Sequence, residues 1–473
     1  MVSFAEAEKN FAYLQGFAQA NNLKFAYRNV LDLYGRQAGS FQLPIKLLDE
    51  NVTYGFDGSS LTGYKAINES DMKMILLPET AFFDGMGGKD RSKLRILARV
   101  EDPITGKRYS RDPMNIALRA AEYLKETGIA DVAYFGPEAE FFVFDNVSFD
   151  RQSHQAHFAI DSDEGIWNAG RAGENKAYRP RTKGGYAPPA PIDSLENLRE
   201  DIMRELIFNG IKAEIGHHEV ATAGQCEIDV KYADLVKMAN QLSWFKQTVK
   251  RVAQAYGKTA TFMPKPITGD NGSGMHVHQS LWKGDKPLFA GEGYAGLSKL
   301  ALHYIGGILK HGPALCAITN PSTNSYKRLV PHAEAPTNLV YSARNRSAAI
   351  RIPQYEPGNP KATRIEVRFP DPLASGHLAF PAMLMAGLDG IQHKINPGKP
   401  FEDNVYESNA QLPNLPGSLD ETLNALDKDR EFLKKGNVFS DDFIDEWIRL
   451  KRAEVQEERQ APTPTEFLRY FTD

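Results

Sequence analysis

Apolar positions along the chain fall into short strand-like runs and longer stretches with helical spacing. Residues 1–105 are mixed, with strand-like runs at Ile75-Leu-Leu and at Leu94-Arg-Ile-Leu-Ala-Arg-Val. A helix is then predicted with Asp112 as N-cap, Pro113 at its first position and Gly128 past its end. A domain boundary is therefore expected near Asp102-Pro103, giving a small domain over 1–105 and a large one over 106–473. Beyond it strand and helix patterns alternate. Val132 to Phe144 predicts one strand. A helix is predicted from Asp193, where Asp193 and Glu196 have capping-box spacing, to just before Gly210. Ala233 to Tyr256 predicts a long amphipathic helix closed by Gly257. The stretch from about 150 to 190 is rich in Gly, Pro, His and Asn without a period, and predicts a long surface excursion.

Composition narrows the class. With 473 residues, 42% of them apolar, the chain can build a large core without a disulfide or metal staple. Fifty-six basic residues against 60 acidic ones give a net charge of −4. That balance argues against a nucleic-acid partner and gives no reason to expect an anionic membrane. Two cysteines, Cys226 and Cys316, cannot make a disulfide framework and fit a reducing cytosol. The first residues carry acid where a signal peptide would carry base. The most apolar segment, His377 to Ile391, is expected to be broken by Pro381 and is too short to span a bilayer. A cytoplasmic globular protein is expected.

Polar residues fall two apart in three otherwise apolar, strand-like runs: Glu138 and Glu140; His276, His278 and Ser280; Glu366 and Arg368. Side chains two apart share a strand face. A solvated edge strand accounts for one such case, but less well for three, because Phe141-Phe-Val-Phe and the neighbouring helices suggest central strands. Charge on a central strand needs a partner or a metal. In the segment from His217 to Glu227, Glu219 and Glu227 are too far apart for one straight strand. The Ala-Thr-Ala-Gly centre can turn the chain and bring them together from adjacent strands. His217 and His218, each taken alone, read as packed or solvated. Five glutamates and one histidine able to converge make an oxygen-rich set without thiolate, which favours Mg²⁺ or Mn²⁺ over structural zinc. Two such ions side by side are usual partners of phosphoryl transfer.

The usual phosphate-binding patterns are missing. Gly257-Lys258-Thr259 looks like the end of a P-loop, but Val252 stands where the first glycine must be. What stands in their place is a basic group: Lys327, Arg328, Arg344, Arg346, Arg351, Lys361, Arg364 and Arg368. Arginine forks suit carboxylate and phosphate. A solvated basic face is the alternative, weakened by Pro, Ala, Ile and Asn neighbours that read as ordered loop. Gly269-Asp-Asn-Gly-Ser-Gly274 adds backbone able to approach a ligand closely.

Together these segments resemble the signature segments of glutamine synthetases of the bacterial class I type. The motifs are Tyr54-Gly-Phe-Asp-Gly-Ser-Ser60, Glu138-Ala-Glu140, His217-His-Glu-Val-Ala-Thr-Ala-Gly-Gln225, Lys265-Pro266, Gly269 to His276, Asn320 to Arg328, Asn345-Arg-Ser and Arg364 to Pro370, in family order. The resemblance implies an α+β fold: a small N-terminal β-grasp domain, then a large catalytic domain with a curved antiparallel sheet backed by helices. It implies ATP-dependent ligation of ammonia to glutamate through γ-glutamyl phosphate, with ATP as substrate and two or more Mg²⁺ or Mn²⁺ ions per site. Glu140, Glu219 and Glu227 would hold one metal; Glu138, His276 and Glu366 the other. Glu214, Tyr232, His278, Ser280, Lys361 and Arg364 would lie along ATP, with Arg346 and Arg351 on its phosphates. Asn271, Gly272, Arg328, Glu334 and Arg368 would bind glutamate, Glu334 also serving as the flap residue. Asp57 and Tyr186 would form the ammonium site. Asp57 would reach into a neighbouring subunit, so a homo-oligomer is expected, a dodecamer of two hexameric rings.

Some positions depart from the family pattern. Val405-Tyr406-Glu407-Ser408 keeps the tyrosine that some members adenylylate and loses most of its frame, which predicts no adenylylation at Tyr406. Cys226 stands where a polar amide is usual and reads as a small packed residue. A ligase joining glutamate to a polyamine or another amine is the main rival, and a catalytically dead relative or an unrelated Mg²⁺-dependent kinase are others. Asp57 and Tyr186 favour ammonia, the intact metal positions argue against a dead relative, and the motif order argues against a kinase.

Overall fold

In the computed structural model, residues 4–86, 92–170, 177–331, 335–408 and 410–472 are described. After helix α1 (Phe11–Ala20), the N-terminal part builds one sheet from β1 (Phe25–Leu31), β2 (Gln37–Pro44), β3 (Tyr54–Asp57), β4 (Asp71–Leu76), β5 (Phe82–Asp84) and β6 (Lys93–Glu101). The order is β2-β1-β6-β4-β3, with β5 also on β6; β1 and β6 run parallel and the other pairs antiparallel. This is the expected β-grasp arrangement. Along β4, Met72, Met74 and Leu76 are buried while their neighbours are not, so one face enters a core shared with Leu14, Val30, Tyr54 and Ile96.

Helix α2 (Pro113–Glu126) starts as predicted: Asp112 accepts the Met114 N–H, and Gly128 adopts φ +67° past the end. The predicted single strand over 132–144 is two, β7 (Val132–Ala139) and β8 (Phe141–Phe144), in different sheets. The hairpin β9 (Asn146–Gln152) and β10 (Gln155–Asp161) supplies regular structure where an aperiodic excursion was expected. Helix α3 (Glu196–Phe208) has Leu195, not Asp193, as its cap. Asp193 is instead taken by a buried ion pair with Arg199 and by the Leu195 N–H. Strands β11 (Ala213–His218), β12 (Gln225–Val230) and β13 (Ala233–Asp234) precede helix α4 (Leu235–Ala255), so the predicted long helix loses its first two residues to a strand pair with β7.

The remaining strands are β14 (Thr259–Thr261), β15 (Met275–Lys283), β16 (Lys286–Pro287), β17 (Tyr341–Ala343), β18 (Ile350–Ile352) and β19 (Ile365–Val367). They complete a seven-stranded sheet ordered β13-β7-β15-β19-β18-β17, with β16 on β15, and a four-stranded one ordered β11-β12-β8-β14. All pairs are antiparallel except β17–β18. The sheets meet where β7 passes into β8 and curl into the expected half-barrel. Helices α5 (Lys299–Thr319) and α7 (Gly376–Gln392), with the short α6 (Ser325–Arg328) between them in the chain, pack together behind it. Their backbones touch: a Cβ on Gly307 would sit 2.0 Å from the Ala386 carbonyl oxygen, which only glycine allows. Pro381 lies inside α7 without ending it. No helix among the described residues is long and apolar enough to cross a membrane.

Candidate active site

Strand β15 lies between β7 and β19, with His276 opposite Glu138 and His278 opposite Glu366. The polar alternation therefore belongs to central strands. One ligating atom each from Glu138, His278 and Glu366 lies within 4.8 Å of the others. His278 Nε2 is 2.7 Å from Glu138 Oε1, and His276 Nδ1 is 3.2 Å from Glu138 Oε2. Glu366 is wholly buried and bound by Arg351 at 2.6 Å and by Arg368. Burial is the largest influence and acts to raise both carboxyls, but His278 and His276 around Glu138, and Arg368, His278 and His276 around Glu366, together outweigh it and hold both below the ordinary range. Burial, helped by Arg368, pushes His276 down to about 4, leaving the neutral ring that a metal ligand needs.

The second cluster forms as the turn between β11 and β12 suggested. Ala223 (φ +60°) and Gly224 (φ +85°) reverse the chain, and the ladder sets His217 opposite Glu227. Ligating atoms of His217, Glu219 and Glu227 lie within 4.8 Å of one another. Glu140 joins from the junction of the sheets; its Oε2 accepts from Gln225 Nε2 at 2.9 Å and from the Gly274 N–H at 3.0 Å. Burial, then the charges of Glu219 and Glu227, lifts the Glu140 carboxyl well above its ordinary range; burial, then Asp229 and Glu138, lifts Glu227. Dry carboxylates so close together suit hard divalent cations, and the donor set of carboxylates with imidazole fits them. The tight triads carry His278 where His276 was expected and His217 where Glu140 was expected, with His276 and Glu140 alongside.

A family model for the glutamine synthetase catalytic domain matches residues 110–470. A glutamine synthetase of Neisseria gonorrhoeae is 54% identical over 466 residues, covering 96% of this chain and 98% of its own. The chain belongs to the glutamine synthetase family. A second relative, the glutamine synthetase of a Nostoc strain, is 52% identical over 425 residues, covering 88% of this chain and 89% of its own. The cryo-EM structure of Plasmodium falciparum glutamine synthetase is similar with a TM-score of 0.88 at 28% identity, covering 98% of this chain and 99% of that one. As a member of the glutamine synthetase family the chain is an ATP-dependent glutamate–ammonia ligase, and the family uses a divalent metal.

The other residues that the glutamine synthetase resemblance singled out are placed unevenly. Arg364 Nε is 3.2 Å from His278 Nδ1, and Ser280 continues the same strand. Arg351 also donates to the Tyr355 hydroxyl at 2.8 Å. Tyr232 is half-exposed, edge-on to Tyr134. Glu214, Arg346 and Lys361 are exposed. A cavity of about 680 Å³ opens beside Arg364, lined by Lys286, Gly291, Tyr355 and Pro360 among others. Arg328 is buried and donates to the Phe369 and Pro370 carbonyls at 2.9 and 3.2 Å, while Arg368 Nε donates to the Arg346 carbonyl at 3.1 Å. Asn271 is buried, and a Cβ on Gly272 would sit 2.4 Å from the Pro264 oxygen and 3.1 Å from Arg328 Cγ. Lys327 turns away to Glu458 and leaves the basic group.

Asp57 ends β3, where its oxygens accept from Ser59 N–H at 2.9 Å, Ser59 Oγ at 2.7 Å, Ser60 Oγ at 2.8 Å and Ser70 Oγ. Bonds from Ser59 and then Ser60 hold its carboxyl below the ordinary range. All these partners lie in the N-terminal part, and among the described residues none links Asp57 to Tyr186. Glu334 lies outside the described residues. Sequence reasoning missed His217 and Gln225. The signal for His217 was its register, facing Glu227 across the hairpin; the signal for Gln225 was an amide opening a strand of buried residues. Cys226 is buried and its thiol is pushed up to about 12 by burial, consistent with a packed, unreactive residue.

Proposed function

We propose that the chain makes glutamine in two steps at this one site. A γ-carboxylate oxygen of glutamate attacks the terminal phosphorus of ATP and ADP leaves. Ammonia then attacks the γ-carbonyl carbon, and the C–O bond to phosphate breaks. The observation that carries this reading is the pair of carboxylate–imidazole clusters, with Glu140 beside the second and buried Arg328 and Arg368 alongside.

Glu140, Glu219 and Glu227, with His217, hold one divalent ion; Glu138, His276 and Glu366, with His278 in reach, hold the other. Mg²⁺ or Mn²⁺ fits both. Bound there, such ions offset charge on the transferring phosphoryl group. Ser280, Arg364, Lys361, Tyr232 and Glu214 line the nucleotide, with Arg346 and Arg351 on its phosphates. Arg328, Arg368, Asn271 and Gly272 hold glutamate. Asp57 and Tyr186 bind ammonium, and Asp57 takes its proton. Glu334 covers the acyl phosphate, which water would otherwise hydrolyse.

Asp57 meets this site from a second copy of the chain, in a homo-oligomer of two six-membered rings in the cytoplasm. Support comes from apolar residues that a lone chain leaves in water: Phe149 and Phe158, paired across the β9–β10 hairpin, and Phe467, Leu468 and Phe471 on the helix Pro464–Tyr470 or just past its end. The chain divides at 105/106; support comes from a separate core drawn from residues between Phe4 and Tyr109, while the larger core takes most of its residues from beyond that point and Leu31, Leu33, Phe82 and Leu97 from before it. Tyr406 is not adenylylated. The test is phosphate release with ammonium, putrescine or methylamine as the amine. Ammonium-dependent release with glutamine as product is expected; preference for an organic amine would move the enzyme to the polyamine branch.

A further inference from the structure

Behind the second cluster lies a buried polar chain that the ligation chemistry leaves unused. His218 is fully buried at the end of β11. Its Nδ1 lies 2.8 Å from the Gly185 carbonyl oxygen and 2.7 Å from that of Glu219, and its Nε2 lies 2.9 Å from Glu164 Oε2. The other oxygen of Glu164, itself buried, accepts the N–H and hydroxyl of Ser194 at 2.8 and 2.7 Å. One ring thus ties the backbone of Glu219, the backbone of Gly185 and the segment leading into α3.

The segment carrying Tyr186 lies along that strand end. The Gly185 N–H donates to the Val220 oxygen and the Ala187 N–H to the His218 oxygen, both at 3.0 Å. The approach is close enough that a Cβ on Gly185 would stand 2.4 Å from the Glu219 oxygen and 2.9 Å from His218 Cε1. Tyr186, between them, points outward, 59% exposed, its ring edge-on to His217 at 5.3 Å. A ring so little packed is located by its backbone. That backbone is held by β11 and by His218.

We propose that His218 and Glu164 are positioning residues that clasp the Tyr186 segment to the end of β11, next to Glu219, and so set the amine-binding geometry. The proposal rests on Tyr186 lining the ammonium site. Glu164→Gln keeps the shape and weakens the hold; His218→Gln removes the three-way ring. In each, the apparent KM for ammonium rises about tenfold or more, the usual scale for loss of an orienting partner. ATP and glutamate affinities and the unfolding midpoint stay nearly unchanged, and amide exchange at Gly185 and Ala187 quickens. Should His218→Gln fail to fold, Glu164→Gln carries the test.

Tyr186→Ala separates the clasp from the reading beneath it. A raised ammonium KM in Tyr186→Ala with an unaltered one in Glu164→Gln would overturn the clasp alone. An unaltered KM in Tyr186→Ala would remove Tyr186 from the ammonium site and the proposal with it. In the double variant, Glu164→Gln should add little to Tyr186→Ala, because both act through one ring; full additivity would overturn the clasp. Equal losses for ammonium, ATP and glutamate in Glu164→Gln would mean a merely structural role.

Discussion

Glu140 and Gly274 hold each other by two hydrogen bonds: the Glu140 N–H donates to the Gly274 oxygen at 3.1 Å, and the Gly274 N–H donates to Glu140 Oε2 at 3.0 Å. This exchange sits where the chain leaves the seven-stranded sheet for the four-stranded one, and it aims Glu140 at Glu219 and Glu227. A Cβ on Gly274 would stand 2.6 Å from Arg328 Nη2 and 3.1 Å from His276 Nε2. Gly274→Ala should therefore displace a guanidinium and a candidate metal ligand together. We expect metal affinity and kcat/KM to fall about 10–100-fold, with the glutamate KM raised. Titration of Mn²⁺ binding alongside kinetics checks this; native affinity in the variant would contradict it.

Without cations, like charge is crowded into a dry pocket: burial first, then Glu219 and Glu227 beside Glu140 and Asp229 and Glu138 beside Glu227, lifts those two carboxyls above 4.5. Glu227→Gln should leave the metal-free protein as stable as the parent or slightly more so, while removing most of the stabilisation that Mn²⁺ gives the parent. Unfolding midpoints with chelator and with excess Mn²⁺ decide it. A strongly destabilised metal-free variant would count against the repulsion.

The same shifts set a pH dependence. Folded carboxyls raised above 4.5 bind protons more tightly than unfolded ones, so their stabilisation is full below that value and is lost as pH climbs through the raised ones. Metal needs the charged forms. The gain in stability on adding Mn²⁺ should thus grow as pH rises through the raised carboxyls. A gain independent of pH would contradict the assignment.

The alternation of Glu138, His276, His278 and Glu366 was legible because a strand's period is local and survives folding. The turn joining Glu219 to Glu227 was legible from its small residues. The break after Ala139 was not. No glycine follows Glu138 before Phe144, and the switch of sheets is fixed by Gly274, 134 positions away in the chain. The Asp193 cap failed for a similar reason: its spacing to Glu196 was right, but Arg199 offered a buried partner. His217 read as an ordinary packed ring because its partner Glu227 faces it only once the hairpin forms. A partner supplied only by the folded chain overruled the local signal in each case.

Asp57 is held by Ser59, Ser60 and Ser70 in the N-terminal part and, among the described residues, by nothing in the catalytic sheets. Asp57→Ala should keep nucleotide binding nearly intact while glutamine formation collapses. If the site is completed between subunits, mixing Asp57→Ala with Glu227→Gln chains after dissociation should restore part of the activity that each lacks alone. Unchanged glutamine formation in Asp57→Ala would remove its assignment, and no recovery on mixing would place each site within one chain.

The most direct test of the account is the fate of the glutamate γ-oxygens. With both labelled by ¹⁸O, a γ-glutamyl phosphate intermediate requires one labelled oxygen to leave in inorganic phosphate for each glutamine formed, and the transfer to require ATP and ammonium together. Glutamine formed with unlabelled phosphate would contradict the acyl-phosphate route that the paired clusters are read to serve.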